Sequence, residues 1–256
     1  MRTPSLITRL SRLCAVRDRS SAREKPTYLS RRGENLLAQL AEMELTPLVD
    51  VFSWQGTDKL CNLSVAFGPD SGPTRILCAH YDVLNLSSDN MNDNSASLAI
   101  LLGLAARLRH ECPAEPIRLV FLDAEECGSL GACKLAQDIV SGSLGPVESV
   151  LNLELCGLGK TIFVDQSESP LRLRLLASGQ VASFATPMND SVFLRRAGID
   201  SCCLGLLPDE ALPQLRSWGG CDHWSLCHSR HDSLTRAAAD DMEMLLDFLG
   251  QFLIGK

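Results

Sequence analysis

Apolar residues along this chain fall into two rhythms. Short apolar runs bounded by polar turns predict strands at Leu63–Phe67, Arg75–Ala79, Ile117–Leu122, Val150–Leu155, Thr161–Val164 and Cys202–Leu206. Longer stretches repeat at helical spacing. Leu6, Ile7, Leu10 and Leu13 mark an N-terminal helix, and Leu36, Leu37, Leu40 and Ala41 share one face of a helix over Glu34–Met43. Further helices are predicted over Ser95–His110, Leu130–Val140, Leu171–Ala182, Val192–Ala197 and Ala237–Leu253. The middle of Ser95–His110 is apolar nearly all round, as expected of a helix packed on a sheet. Gly68-Pro69-Asp70-Ser71-Gly72-Pro73 is a turn, and Asn85–Asn94 a polar loop. Strands alternating with helices predict an α/β fold, a three-layer sandwich around a mostly parallel mixed sheet. Right-handed crossovers then gather loop ends along one sheet edge.

Composition narrows this picture. The 256 residues, 45% hydrophobic, suffice for one sizeable core, and no composition break divides the chain, so residues 1–256 read as one domain. No stretch approaches the roughly 20 apolar residues of a membrane span. A net charge of −7 argues against a nucleic-acid partner. The first 32 residues run against that balance, with Arg2, Arg9, Arg12, Arg17, Arg19, Arg23, Lys25, Arg31 and Arg32 facing only Asp18 and Glu24. The reading taken is a helix with its arginines in solvent; mitochondrial targeting is the alternative. Arginines interrupt every candidate core of a secretory signal. Eleven cysteines, mostly inside apolar segments and without a CxxC pair, predict buried free thiols in a cytoplasmic protein.

The candidate chemistry sits where apolar runs end. Glu125-Glu126 follow Ile117–Leu122, His80-Tyr81-Asp82 follow the run before them, and Asp93-Asn94 close the polar loop. Open α/β sheets gather ligands at such strand ends. An imidazole and hard carboxylates, with a spare glutamate beside them, suit zinc and a metal-activated water. Taken singly, each has a plainer reading: His80 with Asp82 as a polar pair, Glu125-Glu126 as the first turn of a helix, Asp93-Asn94-Ser95 as an N-cap. Glu154 resists one, because an acid inside an apolar strand is costly unless paired or metal-bound. Jointly they predict a metallohydrolase.

In order, His80-Tyr81-Asp82, Asn92-Asp93-Asn94, Asp123-Ala124-Glu125-Glu126, Asn152-Leu153-Glu154 and His228-Ser229-Arg230-His231-Asp232-Ser233 resemble the co-catalytic di-zinc aminopeptidases, whose relatives include the glutaminyl cyclases. The resemblance spans almost the whole chain, with Asn62 and Phe193–Ile199 included. It implies the zinc-peptidase, phosphorylase/hydrolase-like fold and peptide substrates with a free N-terminus. Asp93 would bridge two zinc ions, His80 and Glu154 completing one and Glu126 and His228 the other. Glu125 would be the general base that takes a proton from the metal-bridging water. Asp82 would orient His80 through its second ring nitrogen.

The last ligand is the least determined, with His223, His231, Cys221 and Cys227 near His228. A separate structural zinc on Cys221, His223 and Cys227 fits no standard finger spacing. The chain also departs from the family pattern. Glu154 stands where most members have Asp, Met91-Asn92 replaces Gly-Ala, Asn189-Asp190-Ser191 replaces Ser-Asp-His, and Asp200 replaces Pro. The activity implied is a zinc aminopeptidase, with a pocket shaped by Phe184–Phe193 and Leu206–Trp224. A one-zinc glutaminyl cyclase is the alternative, on Phe193-Leu194-Arg195-Arg196; against it, Cys227 precedes His228 where cyclases have Trp. A non-catalytic scaffold is a third reading. A carboxypeptidase would need an arginine such as Arg195, Arg196 or Arg216.

Overall fold

Eight strands form one sheet in the computed structural model, which describes residues 4–16, 29–54, 56, 59–84 and 86–254. In chain order they are β1 (Leu48–Phe52), β2 (Leu60–Phe67), β3 (Thr74–His80), β4 (Ile117–Leu122), β5 (Val147–Leu153), β6 (Thr161–Val164), β7 (Val181–Ser183) and β8 (Ser201–Leu207). Across the sheet the order is β1-β2-β4-β3-β5-β8-β6-β7. The central strands β4, β3, β5 and β8 are parallel, while β1, β2 and β6 pair antiparallel to their inner neighbours. This is the mixed α/β sheet that the alternating pattern predicts.

Among the described residues the eight α-helices are α1 (Leu6–Cys14), α2 (Arg31–Ala41), α3 (Ala96–Glu111), α4 (Leu130–Ser141), α5 (Pro170–Ala177), α6 (Asp190–Arg196), α7 (Leu212–Trp218) and α8 (Ala239–Ile254). Alternate residues of each central strand face opposite layers. Leu77, Ala79, Leu119, Phe121, Leu151 and Leu153 join the core under α1, α2, α3, α5 and α8. Ile76, Cys78, Val120, Leu122 and Val150 point the other way, to α4 and Leu194 of α6. α3 lies between the sheet and α1 with α8, which is why its sequence is apolar on nearly every side. All eleven cysteines are free thiols, and no helix among the described residues is long and apolar enough to cross a membrane.

Three elements escape the periodicity, and two segments behave differently from their reading. β1 is an edge strand with Leu48 and Val51 exposed, so it carries no inward alternation; its ladder to β2 defines it. The predicted helix over Leu171–Ala182 stops at Ala177, because Gly179 turns left-handed (φ 72°) and sends the chain into β7. α7 is a short seven-residue helix over Leu212–Trp218. On α1, Leu6, Arg9, Leu10 and Leu13 are buried and Ile7 is exposed, so the inward stripe lies one position off the predicted face. The arginines are not all solvated either. Arg9 contacts Met43 Sδ at 3.3 Å. Arg32 is fully buried and donates to the carbonyls of Tyr81 (2.5 Å) and Leu13 (2.9 Å) and to Ser95 Oγ (3.0 Å). Arg2, Arg17, Arg19, Arg23 and Lys25, which carry much of the targeting alternative, lie outside the described residues, as does Asn85.

Two local features prepare the site. Asp200 accepts the Leu171 N–H (3.1 Å) and the Ser169 hydroxyl, so it caps α5 and gives the position usually held by proline a structural task. At Gly205 a Cβ would stand 1.9 Å from the carbonyl oxygen of Glu154 and 2.8 Å from the Phe163 ring. Gly205→Ala is therefore expected to lower stability by about 1–3 kcal/mol, read as a fall in the urea midpoint at unchanged m-value.

Candidate metal centre

The carboxyl ends of β4, β3 and β5, adjacent in the sheet, deliver most of the site. His80 is the last residue of β3 and pairs with Leu122, the last of β4. Asp123 to Glu126 continue from β4, and Glu154 follows β5 directly. Asp93 lies in the turn Met91–Ser95 that leads into α3, and His228 in the loop after the short turn Asp222–Leu226. The backbone is left-handed at Ala124 (φ 56°), Leu155 (57°) and His228 itself (59°), an uncommon conformation for residues with a Cβ. Each lies at, or next to, a candidate ligand or base, where the extended chain must turn to aim a side chain at one point.

Two groups of ligand atoms meet there. One is His80, Asp93 and Glu154; the other is Asp93, Glu126 and His228; within each group the atoms lie within 4.8 Å of one another. Asp93 is common to both. His80 Nε2 is 3.2 Å from Asp93 Oδ1 and 3.7 Å from Glu154 Oε2. His228 Nε2 is 3.1 Å from Asp93 Oδ2 and 2.9 Å from Glu126 Oε2. His231 is exposed and belongs to neither group. Asp82 stands behind them: its two oxygens accept the backbone N–H groups of Glu125 (2.9 Å) and Glu126 (3.1 Å), and Oδ1 is 3.4 Å from His80 Nδ1.

The charges of the protein alone do not balance. Burial raises Glu154 to about 8 and Glu125 to about 9, although His80 opposes both shifts. Hydrogen bonds to Asp93 and Glu126 raise His228 to about 10. Burial disfavours the charged form of His80, yet Glu154, Asp82 and Asp93 outweigh it and raise its pKa. Burial likewise works against ionised Asp93, but hydrogen bonds from His228 and His80 hold it below the usual carboxylate range. So the positive charge within the two groups comes from protons on two imidazoles, and Glu154 and Glu125 titrate above neutrality. Glu126 Oε1 is in addition buried without a hydrogen-bond partner. A pair of divalent cations held by three carboxylates and two neutral imidazoles would remove this excess and engage that oxygen, so the residues fit a metal centre.

A cavity of about 240 Å³ opens onto these groups. Its wall away from the ligands is Leu155, Phe163, Thr186 to Asn189, Cys203, Trp224 and Cys227. The segments expected to shape the pocket supply Thr186 to Asn189 and Trp224; Leu155, Phe163, Cys203 and Cys227 come from predicted strands and a loop that were not expected to line it. Arg195, Arg196 and Arg216 do not line it. Arg195 is bonded to Asp165 (2.8 Å), Arg196 lies over the Phe193 ring, and Arg216 is exposed. Cys221, His223 and Cys227 form no ligand group among the described residues; His223 instead faces Asn92, whose Nδ2 is 3.4 Å from its Nε2. Asn92 Oδ1 accepts the Gly157 N–H (2.8 Å), so this side chain spans two loops. Asp190, at the first turn of α6, is wholly buried; burial raises it to about 7, against the influence of His80. The resemblance places Asp190 in the stretch that stands for Ser-Asp-His without giving it a role; the tertiary fold sets it among these charged groups.

A mixed sheet that gathers carboxylates and imidazoles at its strand ends is the arrangement of an α/β metallopeptidase. The sequence profile of peptidase family M28 matches residues 62–200, more than half of the chain, and the chain belongs to that family. The matched span holds His80, Asp93, Glu125, Glu126 and Glu154, while His228 lies beyond it. No curated protein matches the sequence. Among solved structures, the LapA aminopeptidase of Legionella pneumophila superposes with a TM-score of 0.77 at 16% identity, over 98% of this chain and 70% of that one. BSAP, a zinc aminopeptidase from Bacillus subtilis, gives 0.65 at 18% identity over 77% of this chain and 50% of its own, so the match spans half of that protein. The Porphyromonas gingivalis glutaminyl cyclase gives 0.75 at 18% identity over 97% and 96%. At these identities the likeness is one of fold.

Two outcomes follow from the geometry. His228→Ala is expected to lower the bound metal per chain, and His231→Ala to leave it unchanged, as measured by atomic emission on protein purified without chelator. Burial lowers His223 from 6.5 to about 4, with Arg236 adding to the effect. The unfolded chain takes up this proton as pH falls through 6.5, and the folded chain does so only near 4. The stability linked to His223 is therefore full above pH 6.5 and is lost between there and about 4. Urea titrations across that window should show a shallower loss in His223→Gln.

Proposed function

We propose that this protein is a zinc-dependent aminopeptidase acting on peptides with a free N-terminus. The observation that carries the reading is Asp93, shared by two ligand groups at the floor of a cavity that Glu125 also lines. His80, Asp93 and Glu154 would hold one zinc, and Asp93, Glu126 and His228 the other. Bound zinc supplies Lewis acidity, polarising the scissile carbonyl and acidifying water. Glu125, outside both groups but beside them, takes the proton of the attacking water and returns it to the leaving amine. Asp82 holds the peptide of Glu125-Glu126 through two backbone hydrogen bonds, so base and ligand keep their separate directions. The free α-amine of a substrate would bind near Glu154 and its zinc, which a blocked N-terminus cannot do. The rest of the cavity has no charged side chain, which suits an uncharged N-terminal residue. Eleven free thiols support a reducing compartment, the cytoplasm in this reading.

The second reading, a glutaminyl cyclase with one zinc, draws support from the near-complete mutual overlap with the Porphyromonas gingivalis fold. Zinc per chain, read with assays on aminoacyl-anilides, N-blocked anilides and an N-terminal glutaminyl peptide, separates the readings. Two ions with cleavage of the free-amine anilides alone support the aminopeptidase. One ion with ammonia released from the glutaminyl peptide overturns it in favour of the cyclase. Neither metal nor turnover, even after zinc is restored, leaves the scaffold. Glu125→Gln should keep its metal while kcat falls by about 10²–10⁴-fold; unchanged turnover would remove Glu125 as the base.

A further inference from the structure

The two ends of the candidate metal centre come from opposite parts of the chain, and a buried carboxylate joins them. Asp232 is 2% exposed. Its Oδ1 accepts the backbone N–H of Asn92 at 2.7 Å, and its Oδ2 accepts that of Asp93 at 3.0 Å, across 139 residues of sequence. Its own backbone carbonyl accepts the Ser88 hydroxyl at 2.7 Å. Asp89 supplies a second rung in the reverse direction: its Oδ2 accepts the Leu234 N–H at 2.8 Å and the Ser233 hydroxyl at 3.0 Å. The segment that carries His228 is thus clasped to the segment that carries Asp93.

The two ligand groups depend on this clasp unequally. His80 and Glu154 are buried at the ends of neighbouring strands, where the sheet ladder holds them. His228 is half exposed, on a loop with no strand beneath it and a left-handed backbone. The hydrogen bonds around Asp232 and Asp89, with Asn92 against His223, tie its loop to the one that carries the shared aspartate. A bidentate carboxylate suits this task, because two successive N–H groups of one loop need two acceptors in one plane.

We infer that Asp232 is a positioning residue that forms the Asp93–Glu126–His228 subsite, so that this subsite loads weakly without it while the strand-end subsite persists. The inference rests on the metal reading above. Side chains that orient ligands typically contribute 10–100-fold to metal affinity. Asp232→Ala should therefore weaken one of two zinc ions by at least 10-fold in chelator competition. Asp232→Asn, which keeps one acceptor, should fall in between, and Asp89→Ala should shift affinity the same way by less.

The test is zinc titration of the full chain, wild type first, with the melting temperature of chelated and loaded protein recorded for each variant. Wild type that binds no zinc overturns the metal reading itself. Zinc-binding wild type matched by Asp232→Ala overturns the positioning role alone. The expected result is loss of one ion, a chelated melting temperature close to wild type, and no further loss when His228→Ala is combined with Asp232→Ala. Additive loss in that double variant, or equal weakening of both ions, would also overturn it. Should Asp232→Ala fail to fold, Asp232→Asn and Asp89→Ala decide the question by the same criteria.

Discussion

Buried negative charge is the constraint that organises this molecule. Asp82, Asp93, Asp123, Glu154, Asp190 and Asp232 are all buried, and Glu125 and Glu126 are partly so, around one end of the sheet. A carboxylate removed from water is costly unless hydrogen bonds or cations compensate. The fold answers in two ways. Three carboxylates outside the metal groups accept backbone N–H groups: Asp82 from Glu125 and Glu126, Asp123 from Cys61 and Ala124, and Asp232 from Asn92 and Asp93. Those within the metal groups gather around two imidazoles, where only added cations complete the balance.

The same division explains why the site is stiff where its chemistry needs it. A carboxylate accepting two successive N–H groups fixes the peptide between them, and hence the direction of both side chains. Asn62 extends the scheme to the sheet, since its Oδ1 accepts the Asp123 N–H at 3.1 Å and its Nδ2 donates to the Gly131 carbonyl at 2.9 Å. The turn after β4 is thereby tied to β2 and to the first turn of α4. Arg32 does the equivalent on the far side, joining the ends of α1 and β3 to the start of α3.

The departures from the family pattern find different explanations. Glu154 reaches one methylene further than aspartate, and its Oε1 takes a 3.3 Å contact from Asn152 Nδ2 while Oε2 turns to His80. Met91 and Asn92 fill space against Gly157, which has no Cβ to oppose them. Asp200 is a helix cap. Asn189 caps α6 by accepting the Ser191 N–H, so the Asn-Asp-Ser stretch is read by the backbone as a helix start.

Much of the fold and of the site was legible in the sequence, for a physical reason. Residues at the ends of apolar runs must emerge at the edge of a buried sheet, so His80, Glu125, Glu126 and Glu154 could be placed together from periodicity alone. Edge strands and short helices were not legible, because half-exposed segments such as β1 and α7 carry little periodic signal. The choice among His223, His228 and His231 was likewise out of reach of spacing and came only with a resemblance. In the tertiary structure His223 turns to Asn92, His231 to solvent, and His228 to Asp93 and Glu126. That outcome depends on side chains that clasp two irregular loops across most of the chain, and such contacts leave no repeat in the sequence to read.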